Sequence, residues 1–135
     1  MNYQRLTGVL GLLVVMVSGF GQIQVHAGKV ETQVDPRSKI SFNLGQLNDL
    51  GLYGPPNGLR ALDYEFCIPA DPAFEVQVKA IDPTIVIFAG SKGRVGCVPG
   101  EKLCIGHTHQ PEFKTVLFKL AGLPYVKQIN QCFYE

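Results

Sequence analysis

The stretch LDYEFCIPADPAFEVQVKAIDPTIVIFA, residues 62–89, decides the fold. Leu62, Tyr64, Phe66 and Ile68 alternate with Asp63, Glu65 and Cys67, the period of a half-buried strand, and Pro69 ends it. Asp71-Pro72 then supplies a helix N-cap followed by a first-turn proline, and Asp82-Pro83 closes the segment. Between them Phe74, Val78 and Ile81 suit one helix face, while Phe74, Val76, Val78 and Ala80 alternate like a strand. The paired Asp-Pro boundaries and the length favour a helix over 72–81. Thr84–Ala89 is β-branched and aromatic enough for a short buried strand.

Downstream, Leu103–Gly106 reads as a third strand. Pro111–Leu120 reads as a helix with Phe113, Leu117 and Leu120 on one face, stopped by Gly122 and Pro124. Thr108 or Gln110 stands ready to cap it. Tyr125–Tyr134 completes the set as a strand. The order β-α-β-β-α-β predicts an α+β, ferredoxin-like split βαβ: a four-stranded antiparallel sheet ordered 4-1-3-2, with both helices on one face. The domain is expected over residues 59–135. Residues 28–58, rich in Gly, Pro and Asn, read as an irregular N-terminal arm whose Ile40, Phe42 and Leu44 could form an edge strand or lie on the core, the sheet's other face being open or covered by this arm.

Residues 1–27 have a different character. Arg5 is the only charge before Lys29, and it precedes the apolar run Val9–Val17 and the sequence Val25-His26-Ala27, the three-part layout of a secretory signal peptide. The run is about half the ~20 residues a spanning helix needs, so cleavage after Ala27 is favoured over retention as an anchor. No stable membrane span is expected after cleavage. Removing 27 of the 135 residues leaves 108, enough for one core with little margin. The full chain carries 12 basic and 11 acidic residues, and that balance excludes the basic footprint of a nucleic-acid binder.

Export fits the four cysteines, Cys67, Cys97, Cys104 and Cys132, because an oxidising compartment allows disulfides to add stability. None is in C-x-x-C spacing. Cys97–Cys104, closing the Pro99-Gly100 turn, is the preferred pair. It leaves Cys67 and Cys132 on antiparallel strands, too far apart to join. Cys67–Cys104 with Cys97–Cys132 is the alternative.

Two further segments could carry chemistry. The loop Gly90-Ser-Lys-Gly-Arg-Val-Gly96 offers Lys92 and Arg94 to an anion or small ligand, although a strand follows where a P-loop would open a helix. A flexible, solvated hairpin whose glycines permit turns is the favoured reading. His107 and His109 form an H-x-H pair that could contribute to a Zn or Cu site, but no third ligand stands at a matching spacing. Asp63 and Glu65 share the face of the first strand opposite its apolar residues, where solubility accounts for them. No Ser-His-Asp, paired-carboxylate or Cys-His arrangement stands out. No catalytic residue is therefore assigned and no cofactor is expected.

The strings YEFCIPA (64–70), GSKGRVGC (90–97), LCIGHTHQP (103–111) and YVKQINQCFYE (125–135) resemble those of small exported proteins of cyanobacteria. The resemblance implies a periplasmic or thylakoid-lumenal setting and no particular chemistry. The expectation is a non-catalytic exported domain that binds or assembles with another protein. A thiol or metal protein and an anion-binding module are the alternatives.

Overall fold

The computed structural model describes residues 34–134, so the signal-peptide segment 1–27 lies outside the described residues. The described chain is mixed α+β. Its central sheet has four strands, β3 (Asp63–Pro69), β4 (Val86–Phe88), β5 (Glu101–His107) and β6 (Asn130–Gln131), in the order β4-β5-β3-β6. All three pairings are antiparallel, with Phe66 opposite Cys104, Ile87 opposite Cys104 on the other side, and Tyr64 opposite Gln131. Two helices are described, α1 (Pro72–Ile81) and α2 (Phe113–Ala121). A separate two-stranded ribbon pairs β1 (Leu52–Tyr53) with β2 (Arg60–Ala61).

The helix over 72–81 forms because both ends are specified locally. Asp71 accepts a hydrogen bond from the Ala73 amide at 2.9 Å, and Pro72 begins the helix where its missing N–H costs nothing. Strand-like alternation loses to these signals. Val78 is fully buried while Val76 is left in solvent. The second helix starts two residues later than expected, and neither Thr108 nor Gln110 caps it. The Thr108 hydroxyl instead donates to Gly51 O and accepts from the Leu62 amide, while Gln110 turns into the sheet. The backbone enters α2 through Glu112, whose φ of 56° makes it the one non-glycine residue with positive φ among those described.

One expectation needs correction. The strand foreseen over Tyr125–Tyr134 shrinks to Asn130–Gln131, because Val126 closes a turn onto Leu123 and Ile129 hydrogen-bonds Lys39 across the arm. Val126 and Ile129 are apolar because they enter the core, and they do so from irregular backbone. The apolar alternation of the arm lies on the core, one of its two expected places, with Ile40, Phe42 and Leu44 packed against it. Residues 34–58 carry two short 3-10 turns, Pro36–Lys39 and Leu44–Gln46, and a parallel bridge from Ile40 to Ile129. Phe42 stacks near Tyr64 with ring centroids 6.4 Å apart, and Leu47 is buried in the same core as both helices. The alternation was legible as apolar; which side it joined depended on the path of the chain.

That core lies between the helices and one face of the sheet. Tyr64, Phe66, Ile68 and Cys104 from the strands meet Val78 of α1 and Phe113, Leu117 and Leu120 of α2. Among the described residues no helix is long and apolar enough to cross a membrane.

Candidate functional site

Since successive strand residues point to opposite faces, the residues absent from the core define the other side of the sheet. There Cys67, Leu103 and Phe88 form one row across β3, β5 and β4, Glu65, Ile105 and Val86 the next, and Asp63 with His107 a third. The two ends of this outer face have different fates.

At the Cys67 end the loop between β4 and β5 folds back and covers the sheet. Cys67 is bonded to Cys97, with Cα atoms 5.4 Å apart, and the Val95 amide donates to Glu65 Oε1 at 2.6 Å. Gly93 makes this closure possible. Its φ is +60°, and a Cβ there would stand 2.8 Å from Leu103 Cδ1 and 3.1 Å from Glu65 Oε1. Glu65 is therefore 3% exposed, a buried acceptor and not the solvated carboxylate its alternation suggested.

The bridge corrects the expected connectivity: Cys97 joins Cys67, not Cys104, and Cys104 and Cys132 are buried free thiols. Cys104 pairs with Phe66 and sits on the core side, so it and the covering loop are on opposite faces of the sheet. Burial pushes the Cys104 thiol up to about 12, with the charges of Glu75 and Asp82 adding to the effect. Burial, then a hydrogen bond to Glu65, pushes Cys132 up to about 11. Both are protonated near neutrality, whereas a nucleophilic or metal-binding cysteine works as the thiolate.

The shift of Cys104 has a measurable consequence. The unfolded chain releases this proton near 9.0 and the folded chain near 12, so its stabilising contribution is complete below pH 9 and is lost as pH rises through that window. Urea titrations at neutral pH and at about pH 10.5 should differ by about 2 kcal/mol on account of this thiol, and the difference should shrink by that amount in Cys104→Ala. An unchanged pH slope in the variant would show that the thiol does not titrate between the two states.

The sequence-derived sites are not assembled by the fold. Lys92 borders a hollow of about 500 Å³ with Val98 and Glu101, while Arg94 lines a different groove with Phe42 and Gln128. The loop amides of Gly96 and Cys97 donate to Lys92 O and that of Val95 to Glu65, so three of the N–H groups an anion would need are already engaged. His107 ends β5 beside the outer face, where its amide donates to Thr84 Oγ1 and its Nδ1 is buried without a partner. His109 lies in another hollow, 3.0 Å from Leu50 O through Nδ1, and the buried Thr108 separates the two. Among the described residues, the grouping of ligand-type side chains close enough to hold a metal ion is Cys67, Cys97 and Glu101, and the disulfide occupies both of its sulfurs.

A set of residues missed by sequence reasoning lies beneath this face. Asp82, the C-cap of α1, is fully buried. Its Oδ2 accepts from the Tyr64 hydroxyl, and its Oδ1 accepts from the Thr84 amide (2.9 Å), the Thr84 hydroxyl (2.7 Å) and Gln110 Nε2 (3.0 Å). Burial, reinforced by the charge of Asp82, raises the Tyr64 hydroxyl well above its ordinary value. Gly106 lacks a side chain for this reason, since a Cβ would lie 2.7 Å from Asp82 Oδ2. The only sequence signal was Asp82-Pro83, which marks a helix end equally well. Its hydrogen bonds join the end of α1, β3 and the segment before α2, so the cluster is a fastening between helix end, strand and loop.

What stays accessible is the other end of the outer face. Val86, Phe88 and Ile105 form the apolar wall of a hollow of about 260 Å³, and Asp63, His107 and Tyr134 form its polar end. Burial and the Asp63 carboxylate push the Tyr134 hydroxyl up to about 12. Among the described residues β4 is the outermost strand on this side, so one flank of its backbone has no strand partner there. No family model, curated protein or solved structure matches the chain.

Proposed function

We propose that the protein is an exported, non-catalytic binding module of ferredoxin-like fold that takes up an extended segment of another protein along β4. The strand order and the two helices support the fold assignment. The layout of residues 1–27, the Cys67–Cys97 disulfide and the resemblance to small exported cyanobacterial proteins support a periplasmic or thylakoid-lumenal location.

The observation that carries the binding reading is the edge itself. Val86 and Phe88 are 54% and 43% exposed on a strand with an open flank, beside the hollow at Ile105 and Tyr134. Edge strands are ordinarily protected by short length, lysine, proline, a bulge or a covering loop. At three residues β4 has the first of these, but Val86-Ile87-Phe88 holds no lysine or proline, and the loop that covers Glu65 lies over the opposite end. An extended segment could add a strand through its main chain and seat one apolar side chain against Ile105. Its chemistry is that of a β-branched or aromatic strand with few charges.

The test places a benzoylphenylalanine photo-cross-linker at position 88 in the full chain, expressed in its host. One dominant adduct with a second protein is expected, with the cross-linked peptide mapping to an extended segment. Val86→Lys should abolish it while changing stability by less than about 0.5 kcal/mol, as an exposed substitution does. No adduct, or adducts only with another copy of this chain, would overturn the reading.

A further inference from the structure

On the opposite edge of the sheet, along β6, the structure holds an open groove of about 620 Å³ whose lining is unusual in kind. Residues 34–134 contain nine Asn and Gln, and five of them, Asn43, Gln46, Gln128, Asn130 and Gln131, line this groove. They arrive from two stretches far apart in sequence: the arm carries the first two, and the chain from the last turn through β6 carries the others. Among the described residues no carboxylate and no lysine lines it, and Arg94 is the one charged residue there. Phe133, 55% exposed, supplies an apolar surface at the same site.

We propose that this groove binds a neutral oligosaccharide. A carboxamide presents an acceptor oxygen and two donor hydrogens on one planar head, and each sugar hydroxyl likewise both donates and accepts. Asn and Gln residues lining one groove therefore match a polyhydroxylated chain, with Asn130 on the Glu65 face of β6 and Gln131 on the Tyr64 face, and an aromatic ring suits the apolar C–H face of a pyranose. A charged polymer would find one counter-charge at most. Asn43 Oδ1 is held by the Gly45 amide at 2.8 Å, but two of the other amides are available for exchange. Gln128 Nε2 to Val95 O and Gln131 Nε2 to Tyr53 Oη are both 3.4 Å, longer than a strong N–H···O bond, so a ligand hydroxyl at normal distance would replace them favourably. The volume lies within the range of small-ligand sites, and the open form suits a chain lying through it. This site is independent of the β4 edge, so failure of either reading leaves the other standing.

The experiment is a ¹⁵N-resolved NMR titration of the protein with cellotetraose and with tetra-N-acetylchitotetraose, alongside tetragalacturonate and a neutral Asn- and Ser-rich peptide. At least one neutral oligosaccharide should give saturable shifts confined to residues 43–46, 94 and 128–133, including the side-chain NH₂ signals. Gln46→Ala combined with Phe133→Ala, both exposed positions, should weaken binding about tenfold or more with the remaining spectrum unchanged. Absence of saturation with either neutral sugar up to about 10 mM would overturn the proposal. So would tighter binding of tetragalacturonate, which would make Arg94 the recognition group, or tighter binding of the peptide, which would assign the groove to polypeptide.

Discussion

Asp82→Ala is expected to lower the folding free energy by about 4 kcal/mol, the scale of leaving partners of a buried polar group unsatisfied. Every contact of this side chain is with a donor: the Tyr64 hydroxyl on one oxygen, and the Thr84 amide, Thr84 hydroxyl and Gln110 amide on the other. Alanine removes both acceptors at a site with no exposure to solvent, so water does not freely replace them. For a domain of this size the loss corresponds to roughly 20 °C in Tm. Asp82→Asn keeps the volume and one acceptor oxygen, and the Tyr64 hydroxyl can turn to accept from its NH₂ group. It should therefore cost less, about 1–2 kcal/mol. Urea unfolding of the two variants and of Tyr64→Phe decides the matter. A loss below about 1 kcal/mol in Asp82→Ala would mean that the cluster is not the fastening described.

Removing the disulfide comes next in size. Cys67 and Cys97 are 30 residues apart, and in the chain-entropy account closing a loop of that length stabilises by about 3.5 kcal/mol. The double variant Cys67→Ala/Cys97→Ala should lose about that amount, and a dithiol reductant should produce a similar loss in the unaltered protein while leaving the double variant unchanged. The effect should also be local. Without the tether, the loop relies on the Val95–Glu65 hydrogen bond to stay over Leu103, so exchange of the Val95 amide should accelerate more than that of the Phe66 or Cys104 amides at the sheet centre. A uniform acceleration would show that the bridge acts only through global stability, and an unchanged stability would remove it from the list of structural supports.

Much of the secondary structure was legible because it is set by near neighbours. Asp71-Pro72 starts α1 by capping chemistry that needs nothing beyond the next two residues, and Tyr64-Glu-Phe-Cys-Ile68 alternates with a period only a strand satisfies. The C-terminal segment defeated the same logic. Val126 and Ile129 are apolar because they are buried, and burial there comes from turns and the crossing arm, not from a regular strand. Glu65 defeated it in another way: alternation assigns a side chain to a face but does not say whether that face is wet.

The candidate sites were less legible still. Lys92 and Arg94 are two residues apart in a glycine-rich loop, yet the loop's fold-back sends them to separate hollows. His107 and His109 are divided by Thr108, whose buried hydroxyl joins Gly51 to Leu62. The amide groove could not be found from spacing, because its members at 43–46 and 128–131 meet only when the arm runs beside β6.

By itself, then, the amino-acid sequence determined the start of α1, the central strands, the α+β class and the presence of cysteines able to bridge. These follow from capping, from period-2 alternation and from composition, all of which act over a few residues. Only the tertiary structure decided that Cys67 joins Cys97, that Glu65 and Asp82 are buried among donors, that β4 is an edge among the described strands and that five Asn and Gln residues line one groove along β6. Each of these depends on which distant segments lie against one another, and that is settled by burying the whole core at once, not by any local preference.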